Sequence, residues 1–145
     1  MREIELSALE SRDGTPPRVS VPGEIIPRHE FYSYEAKYLD PDGAQLEIPA
    51  KMPPKLAKEA QKIAQDAFQL LCCSGMARVD LFLDKDTERF YLNEINTLPG
   101  FTSISMYPKL WEASGLSYRD LLAELIELAW ERADRKRNLK RDWTL

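Results

Sequence analysis

Apolar and polar residues alternate from the start of the chain, with Ile4, Leu6 and Ala8 set against Glu3, Glu5 and Ser7. A period of two predicts a strand with one buried face over residues 2–9. The strand opens without a preceding turn, as expected of a fragment cut from a longer protein. Turn-forming residues fill 11–17, residues 18–21 predict a short second strand, and Ile25-Ile26 resumes it after Pro22-Gly23-Glu24. Residues 31–42 are aromatic and charged, and Asp40-Pro41-Asp42-Gly43 closes them with a turn signal. With little apolar periodicity, this stretch is expected to be the most mobile internal segment. From 43 to 54 the pattern is irregular and broken by prolines.

The period then changes to that of a helix. Leu56, Ala60, Ile63, Ala64, Ala67, Phe68 and Leu71 form one stripe, Pro54 suits the first turn, and Ser74-Gly75 stops the helix. Residues 77–83 and 90–96 predict two strands joined by the polar loop 84–88. A loop rich in Pro, Gly, Ser and Thr covers 97–105, and residues 106–113 predict a short helix. Ser117 caps a last helix with apolar positions at Leu121, Leu122, Leu125, Ile126, Ala129 and Trp130, and residues beyond 135 are expected to fray. Together these elements predict an α+β fold. An antiparallel sheet has helices packed on one face and leaves the other face to a polar site.

Composition narrows the class. A chain of 145 residues fits one domain with a core of its own. The net charge of −4 gives no broad basic field for nucleic acid, and the basic run from Arg132 to Arg141 reads as a solvated helix end. No apolar run is long enough to span a bilayer, and the charged N-terminus is unlike a signal peptide. A soluble, cytoplasmic protein without nucleic-acid or membrane partners is the expectation. Cys72 and Cys73 are adjacent, which disfavours pairing, and are expected to be buried thiols. The single histidine, His29, has no partner at zinc spacing and is expected in a surface loop.

The chemistry gathers on the hairpin. A loop centred near residues 86–87 sets Asp80 opposite Glu94 and Arg78 opposite Asn96. Residues two apart share a face, so all four side chains converge beside Phe82. Asp80 and Glu94 alone would be unremarkable on a solvated strand, with Arg78 pairing either one. Adding the Asn96 amide gives a set of oxygen acceptors suited to a hard cation that keeps waters and shares phosphate ligands, as Mg²⁺ does. The following loop, Thr97 to Ser103, offers backbone N–H groups and hydroxyls, and Gly100 would let a ligand approach closely.

Arg78-Val79-Asp80, followed by Asn93-Glu94-Ile95-Asn96-Thr97-Leu98-Pro99-Gly100-Phe101-Thr102-Ser103, is very similar to the C-terminal signature of D-alanine–D-alanine ligases of the ATP-grasp superfamily. Glu35-Ala36-Lys37-Tyr38 resembles that family's active-site loop, and Arg2-Glu3-Ile4 its strand with a ribose-contacting glutamate. The resemblance covers nearly the whole chain. It implies the C-terminal ATP-grasp subdomain over 1–145, with the N-terminal and central regions of the family absent.

The resemblance also implies roles. Asp80, Glu94 and Asn96 would hold two Mg²⁺ ions, or Mn²⁺, on the phosphates of ATP. Lys37 would contact those phosphates, Glu3 the ribose, and Phe31 and Phe82 the adenine, while Asn93 stands where the family has an apolar wall. Arg78 and the Gly100 N–H would stabilise an oxyanion, Ser105 and Met106 would hold the carboxylate of the second D-alanine, and Tyr38 would close over the substrates. The implied reaction makes an acyl phosphate from one D-alanine and passes it to the amine of another, supplying a peptidoglycan precursor. The complete enzyme would be a homodimer, and this portion alone inactive. Other readings are a related ATP-grasp ligase, including one for D-lactate, and a non-catalytic nucleotide-binding module.

Overall fold

The computed structural model describes residues 1–12, 14–27 and 44–139. The stretch 31–42 with Phe31, Lys37 and Tyr38, together with His29, lies outside the described residues. Among the described residues six strands form one sheet: β1 (Arg2–Leu9), β2 (Arg18–Val19), β3 (Gly23–Pro27), β4 (Ala44–Glu47), β5 (Met76–Leu83) and β6 (Phe90–Asn96). Their order is β4-β3-β1-β5-β6, with β2 paired to the end of β1, and every pairing is antiparallel. Among the described residues three helices accompany the sheet: α1 (Pro54–Leu70), α2 (Met106–Ala113) and α3 (Tyr118–Arg137). The α+β class and the antiparallel sheet agree with the sequence reading.

The expected single covered face does not hold. Ile4 and Leu6 of β1 and Val79 and Leu81 of β5 pack against Leu56, Ala60 and Ala64 of α1. Leu9 faces the other way, into Tyr107 and Trp111 of α2 and Leu121 and Leu128 of α3. The alternation in β1 ends in consecutive apolar residues, Ala8-Leu9, so both faces need cover there. The polar side of β1 is also buried. Ser7 donates from its hydroxyl to the Tyr107 carbonyl (3.0 Å) and from its N–H to the Ser20 hydroxyl (2.9 Å). Helices α2 and α3 therefore share the face of the candidate site and crowd one end of it.

Three further expectations change. β4 falls where the sequence looked irregular; it is a four-residue strand that among the described residues pairs with β3, too short for a periodic signal. In α3 the buried positions are Leu121 and Leu128, with Leu125 half-buried, whereas Leu122, Ile126 and Trp130 face solvent. Cys72 is exposed, because it follows the end of α1 in a left-handed conformation (φ 52°) that turns the chain away from the core, and Cys73 is half-buried. Burial pushes the Cys73 thiol above its ordinary pKa, and the neighbouring Cys72 adds to this.

The α2–β1 contact is fastened by the Tyr107 hydroxyl, which donates to the Ala8 carbonyl at 2.9 Å inside the core. Replacing Tyr107 by Phe should lower unfolding stability by about 1–2 kcal/mol, the cost of a buried acceptor left unmet. A urea midpoint equal to the parent's would show that this bond contributes nothing net.

Candidate functional site

The site begins with the β5–β6 hairpin. Asp80 pairs with Glu94 and Arg78 with Asn96, as the sequence pattern implies. Nearer the turn the register shifts: Leu81 pairs with Leu92 and Phe82 with Tyr91, so Asn93 is the extra residue of a bulge. A regular ladder continued from Leu81↔Leu92 would set Asn93 opposite Asp80. The bulge brings Glu94 there instead, a re-aiming that bulges commonly perform beside functional sites.

Arg78 sits at the centre. Its Nε and Nη2 donate to the two carboxylate oxygens of Asp80 at 2.8 and 2.7 Å. Nε also lies 3.3 Å from Glu5 Oε2, and Nη2 3.7 Å from Glu94 Oε1. Burial opposes the guanidinium charge, but the bonds to Asp80 and the fields of Glu5, Asp80 and Glu94 outweigh it and raise the pKa above its ordinary value. Asp80 is 2% exposed, whereas the Glu94 side chain is 57% exposed and open to an incoming ligand. Three carboxylates around one guanidinium leave an excess of negative charge.

That excess, with oxygen as the only donor atom, fits a hard divalent cation. Among the described residues no three His, Cys, Asp or Glu side chains gather as a metal-holding group. The candidate set has two carboxylates and the Asn96 amide, a composition that suits a cation also bound by phosphate. Arg78 does not use up Asp80, since each carboxylate oxygen has a further lone pair. Asn96 Oδ1 accepts from the Leu98 N–H at 3.0 Å and so starts the next loop.

The neighbouring predicted positions lie on the same face. Glu3 of β1 pairs with Phe82, which pairs in turn with Tyr91, so Glu3 and Phe82 are side by side. The loop after β6 folds back onto the start of α2. Ser105 Oγ accepts from the Thr102 N–H (3.0 Å) and shares a hydrogen bond with the Thr102 hydroxyl (2.9 Å). A Cβ at Gly100 would fall 2.8 Å from Ser105 Oγ, so a larger residue there would displace that hydroxyl from its contacts with Thr102. Met106 is buried against Ile25 and Leu110, leaving its backbone N–H at the helix start as the group it can offer.

Sequence reasoning missed two features. One is Glu5, whose carboxylate reaches Arg78 from β1. The other is the ring contact of Phe101 with Tyr107 and Tyr118, at centroid distances of 5.4 and 6.2 Å, which pins the loop. The spacing of aromatic residues gave no signal for the second, because the three rings come from a loop and two helices.

A family sequence model described as "D-ala D-ala ligase C-terminus" matches residues 1–127. The chain is 58% identical over 139 residues to a D-alanine–D-alanine ligase of Oceanobacillus iheyensis, an alignment covering 96% of this chain and 37% of the relative. The solved D-alanine–D-alanine ligase from Coxiella burnetii matches with a TM-score of 0.77 and 44% identity, over 94% of this chain and 34% of that one. The Bacillus anthracis ligase complexed with ATP matches with a TM-score of 0.72 and 30% identity, over 93% of this chain and 41% of that one. The chain thus spans little more than a third of the length of the curated relatives it matches. Sequence and fold agree, and the chain belongs to the D-alanine–D-alanine ligase family, where it corresponds to the C-terminal region.

Proposed function

We propose that this chain forms the nucleotide- and metal-facing part of an active site that joins two D-alanines at the expense of ATP, within a complete ligase. The observation that carries the reading is the bulged hairpin, which turns Glu94 onto the face of Arg78 and Asp80. A strand pair serving only the core would gain nothing from gathering these charges.

The roles follow the chemistry of each group. Glu3 and Phe82 lie together and suit the ribose and adenine of a nucleotide, with Phe31 as the second adenine contact and Lys37 toward the phosphates. Asp80, Glu94 and Asn96 would hold Mg²⁺, which when bound offsets the negative charge of the phosphates during transfer. One D-alanine carboxylate oxygen attacks the γ-phosphorus, and ADP leaves an acyl phosphate. The amine of the second D-alanine then adds to the acyl carbon. Arg78 and the Gly100 N–H act as donors to the resulting oxyanion, and inorganic phosphate departs. Ser105 and the Met106 N–H would receive the carboxylate of the second D-alanine, a use that the positive end of α2 favours. Tyr38 would close over the substrates.

The chain lacks some 60% of a relative's length, so the purified 145 residues should fold and yet make no D-alanyl-D-alanine from ATP, Mg²⁺ and D-alanine. Mixing in, or fusing, the missing portion from the Oceanobacillus iheyensis relative should restore dipeptide formation. Turnover by the lone chain above a blank, or a well-folded chimera without turnover, would overturn the reading.

A further inference from the structure

Glu5 stands in the middle of β1 and is 1% exposed. A carboxylate is costly to bury unless charge and hydrogen bonding compensate it. Its strand partners on the same face are Gly23 of β3 and Asp80 of β5. Beside Gly23 the space is filled from α2: a Cβ there would lie 2.7 Å from Met106 Cε and 2.8 Å from Leu110 Cδ2. On the β5 side Glu5 Oε2 lies 3.3 Å from Arg78 Nε, an ion-pair contact, since the Nε–H itself is donated to Asp80 Oδ1. Among the described residues Glu5 is therefore flanked by apolar side chains on one side and a guanidinium on the other, and it is closed off from solvent.

Arg78 thus touches two buried carboxylates in different situations. Asp80 lies opposite the exposed Glu94, where the ligase reading gives it a cation to share. Glu5 lies one strand further in, away from that edge of the sheet. Any weakening of the Arg78–Asp80 fork leaves Glu5 as the nearer and buried of the two carboxylates that still face the guanidinium, Glu94 being exposed and 3.7 Å away. We propose that Glu5 is a positioning residue: its buried carboxylate holds the Arg78 guanidinium by its charge, so that the guanidinium stays aimed at the reacting centre when Asp80 turns to a divalent cation. The functional half of this inference rests on the ligase reading; the Glu5–Arg78 contact does not.

Two measurements test the two halves. In the 145-residue chain labelled with ¹⁵N-arginine, the Arg78 Nε–H signal, assigned with Arg78→Lys, should be slow to exchange with and without MgCl₂. In Glu5→Gln its exchange should be at least about tenfold faster, since without the Glu5 charge the guanidinium is held less firmly in the bond that Nε–H donates to Asp80. Equal exchange in the two proteins would overturn the proposal. In the complete chimeric ligase, Glu5→Gln should lower kcat by about tenfold to a hundredfold, as misplacing a reacting group does. KM for ATP and the Mg²⁺ requirement should stay within about twofold, because the cation ligands are untouched. Glu5→Asp should recover part of kcat, and should carry the test if Glu5→Gln fails to fold. An unchanged kcat, or kcat and KM for ATP collapsing together, would overturn the role. If Glu94→Gln is inert while Glu5→Gln exchanges fast, the ligase reading falls and the contact stands. If Glu94→Gln is inactive and Glu5→Gln turns over normally, only the positioning role falls.

Discussion

Replacing Glu94 by Gln in the complete chimeric ligase should cut turnover by at least about a hundredfold, equivalent to some 2.7 kcal/mol of transition-state stabilisation. The substitution keeps the shape and removes one charge. Glu94 faces Asp80 across the hairpin and is open to solvent, so its charge is available to a cation that offsets phosphate charge during transfer. Raising MgCl₂ should recover only a small part of the loss, since the substitution removes a charge that places the cation as well as one that binds it. The stability of the 145-residue chain should change by less than about 1 kcal/mol, because the link to Arg78 is long (3.7 Å) and exposed. A purely structural Glu94 predicts the reverse pair: modest loss of stability and near-parental turnover. Measuring urea stability and turnover on the same variant separates the two, and near-parental turnover at saturating Mg²⁺ would remove the hairpin from the mechanism.

Much of this site was legible in the chain because it depends on local pairing. Asp80 and Glu94, or Arg78 and Asn96, belong to the two strands of one hairpin, which places them near one another, although the register running from the turn would set Asn93 opposite Asp80 and the final pairing is completed by the bulge. The bulge at Asn93 was not legible as such, since no local residue pattern marks it. Glu5 escaped for a topological reason. It looks like a solvent-facing residue in an alternating strand until β1 is known to lie between β3 and β5. The same central position explains why Ser7 is buried and why Leu9 calls α2 and α3 to the site face. Helix α3 showed the limit of apolar counting. Its apolar residues surround more of the helix than one partner covers, and only the packing against Leu9, Tyr107 and Trp111 selects Leu121 and Leu128.

The largest effect on stability should come from Arg78. Replacing it by Met keeps an unbranched side chain of similar reach and deletes the charge. Asp80 then loses both of its hydrogen bonds from the guanidinium, and Glu5 loses its ion pair, while both carboxylates remain at the buried positions the sheet assigns them. Removing one partner of a buried charge cluster costs about 3–5 kcal/mol, because a buried carboxylate that loses its guanidinium retains its desolvation penalty. The change should appear in the 145-residue chain as a large fall in the urea midpoint with an unchanged slope. Arg78→Lys should fall between, since it keeps the charge but cannot form the two-pronged contact with Asp80. MgCl₂ should separate the variants further. In Arg78→Met the cation would meet an Asp80 no longer held by the guanidinium, so millimolar Mg²⁺ should raise the midpoint more than it does in the parent, by binding the folded state alone. A midpoint for Arg78→Met within about 1 kcal/mol of the parent's would mean that solvent already compensates Glu5 and Asp80. The guanidinium would then not be what permits two carboxylates at the centre of this sheet.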